Sequence, residues 1–478
     1  MAPGDPSQGG GGTRHSDGIE AALASVASWF EGADCTCASV ALTDASEILA
    51  AAGYGDRRLD SDAPATGDTR YAVGSVSKPV TALAVVELDA RGRVDIDDPV
   101  SEYVPYFEGA PGEPITVADL LSHTSGMPND DLAFAAGHLD GWDDFRAFLE
   151  ETLDRRRTDG DRFCYYNSGY AVLARLVESV TEVDFGTYVE REVFDPLGAT
   201  RSTYDSSVLG DDTADAMTPY VVEDDEFREA STAENALLSS EVLCGPGGLI
   251  ASVTDLAQFL QAHLGGDSPF DGASLHRMRT PAATRKRLVD GTEFTYGYGW
   301  EIRPFGTDTL VGHGGNTGVS GAYVGFLEDE GVGIAVACSG VGDPRDAARD
   351  ALATLTDREP ESVDPVRSIE RRVRDLAGRY ETPSGNHHAT VTADGARLDA
   401  EFGGEVAPFE LSLLPTDLGS ECYRFTDADC VESTTDAEFF PGGESAELLF
   451  EGMLFVRVGE AEAPNDRDQS AAEKAKTE

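Results

Sequence analysis

Two apolar runs joined by a short acidic turn constrain the fold of this 478-residue chain more than any other feature of its sequence. Residues 322–327 and 332–338 are rich in small and β-branched apolar side chains, and a four-residue turn beginning at Glu328 separates them. A tight polar turn between two apolar runs predicts a β-hairpin. The sheet that contains this hairpin is therefore at least partly antiparallel.

Further strand candidates lie near the start of the chain. Residues 38–42 and 47–54 are short apolar runs between turn residues, which suits central strands, although such runs also occur in helices. Most of the chain between the two groups of strands has helical periodicity, for example residues 171–180 and 253–264. Strands at both ends with helices between them predict one large α/β or α+β domain over residues 17–356.

The ends of the chain and one break in the pattern set the remaining predicted boundaries. Residues 1–16 are dominated by Gly and predict a disordered leader before a helix that Asp17 can cap. An acidic, Pro-containing stretch over residues 357–370 predicts a linker. Short alternating segments over residues 371–458 predict a second, β-rich domain in the form of a small barrel, and residues 459–478 predict a charged tail.

The charge balance excludes several classes of partner. The chain has 88 acidic and 36 basic residues, a formal net charge of −52. Such a field repels phosphate backbones and anionic lipid surfaces, so we expect neither a nucleic-acid partner nor a membrane partner. Only four of the basic residues are lysines and 32 are arginines. Dispersed acids with little lysine predict adaptation to molar salt, where the screening length falls to about 3 Å; an acidic protein of ordinary salt is the alternative.

Apolar runs and cysteines bear on the cellular compartment. No stretch approaches the roughly 18 to 20 apolar residues of a membrane span, and the N-terminal residues lack the features of a signal peptide. The seven cysteines form an odd, scattered set, which favours reduced thiols over a disulfide framework. Cys35 and Cys37 are too close together for common zinc-site spacing. We therefore expect a cytoplasmic protein without a metal site or a cofactor.

One serine and one lysine at the start of a predicted helix form the first candidate for catalysis. Pro79 suits only the first turn of a helix, and Gly92 is a suitable stop. Ser75 then lies at the helix N-terminus, and Lys78 follows one turn later, so its amine can approach the Ser75 hydroxyl. A desolvated lysine can help to deprotonate a serine. A serine cap beside a solvated lysine is the bland alternative, but this lysine persists near an apolar helix in a chain with few lysines.

Two more motifs carry polar groups suited to acyl transfer. Tyr165 and Asn167 precede a predicted helix and can present a phenol for proton relay and an amide to hold Lys78 or a substrate carbonyl. His313 is followed by glycines, which permit close backbone approach to a ligand. Each motif is weak alone: the tyrosine suits a core aromatic, and His-x-Gly is expected about once by chance in a chain with 8 His and 52 Gly.

The order Ser-x-x-Lys, Tyr-x-Asn and His-x-Gly resembles the class C β-lactamase-related and penicillin-binding-protein-like serine hydrolases, including the peptidase S12-like and CubicO-type proteins. Segments at residues 115–128, 245–256 and 298–300 strengthen the likeness. The resemblance implies a mainly antiparallel five-stranded sheet with flanking helices and an all-helical insertion. It also implies the following roles: Ser75 as the acylated nucleophile, Lys78 as its activating partner, Tyr165 as the general base that later protonates the leaving group, His313 as a catalytic residue on the strand that lines the cleft, Asn167, Gly314 and Gly315 as substrate-binding residues, and the backbone N–H groups of Ser75 and Asn316 as the oxyanion hole.

The segment that begins at Leu376 resembles a lipocalin-like barrel found in an archaeal subgroup of these enzymes, one branch of which is a self-compartmentalising peptidase. A homo-oligomer is thus one expectation. We predict a serine hydrolase that acts on amide, peptide or ester bonds of small molecules or short peptides. His313 replaces the lysine that recognises a β-lactam carboxylate in relatives, which argues against efficient β-lactam hydrolysis. The alternative is a non-catalytic scaffold that binds a partner through the barrel.

Overall fold

A computed structural model of the chain forms two compact units. The first comprises the described residues up to Lys286 together with Glu293–Val363, and the second comprises Arg287–Thr292 and the described residues from Asp364 onward. The structure describes residues 11–460 except 61, 130–131, 133–135, 140, 159–161, 212, 224–225, 232–237, 239, 266–267, 405–407, 420, 429–435 and 443–445.

The first unit is built on a large antiparallel sheet. In chain order its strands are β1 Cys35–Asp44, β2 Ile48–Gly55, β3 Arg70–Ala72, β4 Tyr220–Glu223, β5 Glu226–Glu229, β6 Ile250–Ser252, β7 Ala283–Arg287, β8 Glu293–Tyr296, β9 Glu301–Phe305, β10 Asp308–Asn316, β11 Ser320–Leu327 and β12 Val332–Gly340. The large sheet has the order β2-β1-β12-β11-β10-β9-β8-β7. The two smaller sheets are β3-β6 and β4-β5.

The acidic-turn hairpin is confirmed as β11 and β12, which pair antiparallel from Ser320 opposite Ser339 to Leu327 opposite Val332. The expectation of five strands is wrong. Strands β2, β1, β12, β11 and β10 form the expected set, and β9, β8 and β7 extend it to eight. The added strands are only four or five residues long, and charged or polar residues interrupt each of them, so they lack the continuous apolar runs that identify central strands.

Helices of the first unit cover both faces of the sheet. In chain order they are α1 Gly11–Gly32, α2 Ser77–Ala90, α3 Val117–Leu121, α4 Trp142–Glu150, α5 Asn167–Thr181, α6 Phe185–Val189, α7 Cys244–Gly247, α8 Val253–His263, α9 Gly272–Met278, α10 Arg345–Leu355 and α11 Pro360–Val363. Helix α12 Pro365–Arg374 belongs to the second unit. Helix α1 begins at Gly11 rather than at residue 17, so the predicted leader is wrong over 11–16, and its residues 1–10 lie outside the described part. The insertion between α2 and α8 is helical over most of its length but also carries the hairpin β4–β5, so it is not all-helical.

The core explains why the central strands are apolar on both faces. One apolar cluster joins the sheet to α2, α5 and α8, and a second joins the opposite face to α1 and α10. Strands β1 and β12 lie between the two clusters, and every residue of β12 is buried. A strand covered on both faces has no position for a polar side chain without a partner, and its sequence therefore reads as an uninterrupted apolar run.

The second unit is the predicted small barrel. Its strands are β13 Gly378–Glu381, β14 His387–Asp394, β15 Arg397–Gly404, β16 Phe409–Leu418, β17 Tyr423–Asp427, β18 Asp436–Phe440, β19 Glu447–Phe450 and β20 Met453–Gly459. They form a closed eight-stranded antiparallel barrel, in which β20 pairs with β13. Alternate side chains point inward to an apolar core that includes Phe402, Phe425 and Phe439.

The predicted linker is largely helical. Helix α11 begins at Pro360 and helix α12 at Pro365, and proline is well tolerated at the first position of a helix because its missing N–H would be unpaired there. Asp364 caps α12 by accepting a hydrogen bond from the N–H of Val366 at 2.8 Å. Most of the predicted tail, residues 461–478, lies outside the described residues. Among the helices that the structure describes, none is both long enough and apolar enough to cross a membrane.

Candidate active site

Ser75 projects from a sharp turn immediately before α2. Residues Gly74–Val76 form one turn of 3₁₀-helix, and Gly74 has a φ of +53°, a conformation that glycine adopts without strain. A Cβ at Gly74 would lie only 2.9 Å from the backbone nitrogen of Asn316 on β10. The Ser77 hydroxyl donates to the Gly74 carbonyl at 2.7 Å and fixes the turn. Ser75 is therefore held between the start of α2 and the end of β10.

Lys78 is the most unusual ionisable group of the site. Its side chain is fully buried, and its Nζ donates to the Ser75 hydroxyl oxygen and to the Pro246 carbonyl oxygen, each at 2.9 Å. No carboxylate is among these partners, and burial holds the pKa of Lys78 well below its ordinary value. The predicted approach of the amine to Ser75 is present. Among the described contacts, the amine binds Ser75 and Pro246, and none of them joins it to Asn167.

Tyr165 completes the surroundings of the Ser75 hydroxyl. The Nζ of Lys78 lies 4.7 Å from the centre of its ring. Burial raises the pKa of Tyr165 above its ordinary value, and the neighbouring Ser75 side chain, Arg285 and Arg345 oppose that shift only in part. Tyr165 is thus a neutral phenol, whereas the burial of Lys78 favours a neutral amine.

His313 lies on β10 beside Tyr165, with 6.3 Å between the two ring centres. Its Nδ1 is 2.7 Å from the carbonyl oxygen of Gly314, which can only accept, so Nδ1 carries the proton. Its Nε2 is 3.1 Å from the hydroxyl of Tyr296 and accepts from it in the neutral ring. Burial lowers the pKa of His313 to about 4, and Glu301 opposes that shift in part. The ring is therefore neutral near pH 7, with both nitrogens engaged.

Two residues of the site were not predicted from the sequence. Tyr296 is fully buried and holds Nε2 of His313. His123 is buried under Tyr165, with 4.4 Å between the ring centres, and its Nδ1 accepts the N–H of Tyr166 at 3.1 Å. The signal for His123 was its place in the segment over residues 115–128. Tyr296 carried no such signal, because strand β8 has no strong apolar pattern.

A small pocket opens beside Ser75 on the side of Asn316. Its volume is about 150 Å³, and it is lined by Gly74, Ser75, Asn167, Leu238, Leu243, Pro246, Gly247, Asn316 and Thr317. A Cβ at Gly315 would collide with the carbonyl of Val73 and lie 2.9 Å from the backbone nitrogen of Ser75. Only glycine allows this approach, which brings the backbones of Ser75 and Asn316 to the same pocket. Two N–H groups at such a place suit a developing oxyanion.

The structure thus joins most of the predicted residues in one site: Ser75, Lys78, Tyr165, Asn167, His313, Gly315 and Asn316. Gly314 differs, because its missing side chain faces Arg345 rather than the pocket; a Cβ there would lie 3.0 Å from Cδ of that arginine. Within the described residues, no group of three or more His, Cys, Asp or Glu side chains is placed to hold a metal ion.

The chain is similar to known proteins over both of its units. The β-lactamase family model matches residues 26–357, and the Pab87 octamerisation domain model matches residues 360–456. PbpX of Bacillus subtilis (strain 168), a protein named for penicillin binding, is 28% identical over 258 residues, which cover 53% of this chain and 58% of that protein. The chain thus spans less than two thirds of the length of this relative.

Two solved structures are similar over their whole length. The octameric penicillin-binding protein homologue from Pyrococcus abyssi has a TM-score of 0.69 and 27% identity, and the match covers 92% of this chain and 100% of that one. A D-stereospecific amidohydrolase from Streptomyces has a TM-score of 0.55 and 23% identity over 71% of this chain and 98% of that one, a likeness of fold. The chain therefore belongs to the β-lactamase and penicillin-binding-protein-like family, with a Pab87 octamerisation domain at its C-terminal end.

Proposed function

We propose that this protein is a serine hydrolase that cleaves amide, peptide or ester bonds through an acyl-serine intermediate at Ser75. The buried amine of Lys78, 2.9 Å from the Ser75 hydroxyl and without a carboxylate partner, carries this proposal. An amine in that environment is a base at neutral pH, and a serine needs such a base to become a nucleophile. A merely structural lysine at this position would be expected to have a carboxylate to offset its burial.

In the acylation step the Ser75 oxygen forms a bond to the acyl carbon while its proton moves to Nζ of Lys78. The charge that develops on the acyl oxygen is stabilised by the backbone N–H groups of Ser75 and Asn316. The bond from the acyl carbon to the leaving nitrogen or oxygen then breaks. The leaving atom takes a proton from the Tyr165 hydroxyl, and the proton held by Lys78 replaces it. Water reverses these transfers, releasing the acid and restoring Ser75.

This assignment keeps one role that the resemblance implied for Tyr165, that of proton donor to the leaving group, and moves the other role, that of general base, to Lys78. A general base must lose its proton easily, yet burial raises the pKa of the Tyr165 phenol and lowers that of the Lys78 amine. Lys78 is therefore the better base, and Tyr165 is the better donor to the leaving group. His313, whose ring nitrogens are bound by Gly314 and Tyr296, acts as a neutral positioning group rather than as a proton carrier at neutral pH.

The acyl side of the site suits a small substrate. The pocket beside Ser75 has a volume of about 150 Å³, with Leu238 and Leu243 on its walls and the Asn167 amide in reach of an acyl chain. A short-chain acyl group or a single small residue suits this space. The neutral His313 offers no fixed positive charge at the position of the lysine that holds a β-lactam carboxylate in relatives, so efficient β-lactam hydrolysis is not part of this proposal.

The C-terminal barrel supports a homo-oligomer, and we propose an octamer. The support is the match of residues 360–456 to an octamerisation domain and the likeness to an octameric protein from Pyrococcus abyssi. Light scattering after size-exclusion chromatography in molar KCl should give eight times the chain mass of 50.7 kDa. A monomer would contradict the octamer.

The free thiols of Cys35, Cys37 and Cys338 support a reducing, cytoplasmic compartment, and the net charge of −52 supports a saline one.

The nucleophile is tested by labelling with a fluorophosphonate in 2 M KCl, followed by mapping of the modified peptide. We expect modification at Ser75, its loss in Ser75→Ala, and its persistence in the control Ser179→Ala, which removes an exposed serine on α5. Turnover of p-nitrophenyl esters, L- and D-aminoacyl amides and nitrocefin then separates the substrate classes. A folded protein with no labelled serine and no turnover would favour the non-catalytic scaffold.

A further inference from the structure

A buried histidine lies behind Tyr165 and takes no part in the proton transfers described above. His123 follows α3, its side chain is buried, and the centre of its ring is 4.4 Å from that of Tyr165. We propose that His123 is a positioning residue that holds the Tyr165 hydroxyl where it can protonate the leaving atom, an inference that rests on the proposed hydrolase function.

Both peptide groups that flank Tyr165 are bound to His123. The N–H of Cys164 donates to the His123 carbonyl oxygen at 2.8 Å, and the N–H of Tyr166 donates to Nδ1 of the His123 ring at 3.1 Å. Residues 162–166 lie outside the helices and strands, so no ladder of backbone hydrogen bonds fixes their conformation. One residue therefore sets the path of the chain on each side of the phenol.

The ring of His123 also packs against the aromatic side chains that surround the phenol. Its centre lies 4.9 Å from that of Tyr296, 5.1 Å from that of Tyr170 and 5.5 Å from that of Phe163. A ring enclosed in this way cannot shift unless its neighbours move, because protein interiors are close-packed. The Tyr165 ring therefore rests on a rigid support.

His123 is itself held in place by α3. A capping box closes the start of that helix, and the Leu121 carbonyl oxygen near its end accepts a hydrogen bond from the Tyr170 hydroxyl at 2.7 Å. Tyr170 lies on α5, the helix that begins directly after the segment of Tyr165. The support of the phenol is thus fixed to the same helix that follows the phenol in the chain.

Two features of His123 are unfavourable if it serves packing alone. Its backbone φ is +60°, in the left-handed region that favours glycine. Because Nδ1 accepts a hydrogen bond, the proton of the neutral ring is on Nε2, which is buried and has no hydrogen-bond partner among the described residues. Burial lowers the pKa of His123 well below its ordinary value, so the ring is neutral. An apolar side chain would fill this space without a buried N–H, but it would not bind the N–H of Tyr166.

The position of the phenol matters only where the leaving atom needs a proton. An amine or an alkoxide must be protonated as it leaves, whereas p-nitrophenolate and fluoride leave as stable anions. A catalytic group that is misplaced by about 1 Å can cost on the order of 10²-fold in rate. Substitution of His123 should therefore slow the turnover of amides and alkyl esters, and it should spare p-nitrophenyl esters and the fluorophosphonate labelling of Ser75.

Two variants each remove one of the supports that His123 provides. His123→Asn keeps a side-chain acceptor for the N–H of Tyr166 and tolerates the positive φ, but it lacks the ring. His123→Phe keeps a ring and lacks the acceptor. The substrates share one acyl group, prepared as an amide, an ethyl ester and a p-nitrophenyl ester and assayed in 2 M KCl. Because all three form the same acyl-enzyme, kcat/KM compares the acylation step alone.

In both variants we expect kcat/KM for the amide and the ethyl ester to fall by about ten- to hundred-fold, and that for the p-nitrophenyl ester by less than about three-fold. A selective loss in one variant alone assigns the support to the ring or to Nδ1. His263→Asn is the matched control, because His263 is a buried histidine that packs against Phe259, Trp300 and Phe326, and it should leave the ratios between substrates unchanged. Equal losses on all three substrates in both His123 variants, or no loss on any, overturn the proposal.

A double-mutant cycle separates positioning of the phenol from a general structural role. In the Tyr165→Phe background no hydroxyl remains to be positioned, so His123→Asn should change kcat/KM for the ethyl ester by less than about three-fold. A further ten-fold loss in that background would mean that His123 acts through another group, and it would overturn the proposal.

The two levels of inference fail differently. Unchanged ratios between substrates in both His123 variants, with Ser75 still labelled, leave the hydrolase intact and remove only the role of His123. Absence of turnover in the wild type, together with absence of labelling at Ser75, removes both.

Discussion

Replacing Lys78 by methionine tests the central physical claim about the site, that its buried amine is neutral. Methionine has a similar length and no charge, so it fills much of the same space. The lysine is fully buried and its pKa is lowered by that burial. In the unfolded chain the same amine has a pKa of about 10.4. Between the folded and the unfolded pKa, the unfolded chain therefore binds one proton more than the folded chain.

The magnitude follows from that proton. The free energy of unfolding of the wild type should fall by about 1.4 kcal/mol for each pH unit below about 10.4, for as long as the folded amine stays neutral. Below the folded pKa the loss is complete and the slope ends. The free energy of unfolding of Lys78→Met lacks this dependence on pH, because methionine does not titrate. Its cost is the bond to the Pro246 carbonyl, about 1 to 3 kcal/mol, and does not vary with pH. The free energy of unfolding of the variant, relative to that of the wild type, should therefore increase as pH decreases from 10 toward 7.

Urea unfolding in 2 M KCl, followed by tryptophan fluorescence, measures this difference. The three tryptophans, Trp29, Trp142 and Trp300, all lie in the first unit, so the signal reports the unit that contains the site. Thr81→Ala is the matched control. Thr81 is buried one turn further along α2 and donates to the Gly245 carbonyl at 2.7 Å, but it does not titrate. If the free energies of unfolding of Lys78→Met and the wild type differ by the same amount at every pH from 7 to 10, then Lys78 is charged in the folded protein. That result would refute its role as base.

The remaining predictions concern proton transfer, charge and salt. Tyr165→Phe should lower kcat by about 10² to 10⁴-fold on amides and by much less on p-nitrophenyl esters, whose leaving group needs no proton; equal losses in steady-state assays would contradict a donor role. Because burial lowers the pKa of His313 to about 4, acidification from about pH 6.5 toward 4 should reduce stability by about 1.4 kcal/mol per pH unit relative to His313→Asn, as urea titrations can check. No inflection in kcat should arise from this ring near pH 6.5. Thermal midpoints should rise between 0.1 and 2 M KCl, since screening removes self-repulsion from a net charge of −52; a midpoint independent of salt would argue for an ordinary acidic protein.

Local sequence signals were sufficient for several elements. The apolar runs around the acidic turn became β11 and β12, and the periodic segments became α5 and α8, within a few residues of their predicted ends. The spacing of Ser75 and Lys78 also predicted that the amine approaches the hydroxyl, because residues three apart lie about one helical turn apart and a turn is a local structure. By contrast, β7 to β9 are short and partly exposed. Their pairing depends on β10, and their own sequences do not predict it.

Tertiary contacts decided the rest of the site. Tyr296 and His123 reached it from a strand and a loop that carried weak signals or none, and the helical start at Gly11 extended an element expected to begin at residue 17. The eighth barrel strand had to return to the first for the second unit to close. Such pairings join residues far apart in the chain, so no short window of sequence contains them.

The sequence by itself determined which chemical groups this protein has: a serine, a lysine one helical turn later, a phenol, an imidazole, and a surface in which lysine is scarce. Only the tertiary structure decided their charge. Burial lowers the pKa of the Lys78 amine, which favours its neutral form, and burial raises the pKa of the Tyr165 phenol, which keeps its proton at neutral pH. Desolvation depends on atoms brought from distant parts of the chain, so the protonation of a group, and with it the direction of proton transfer, is a property of the fold.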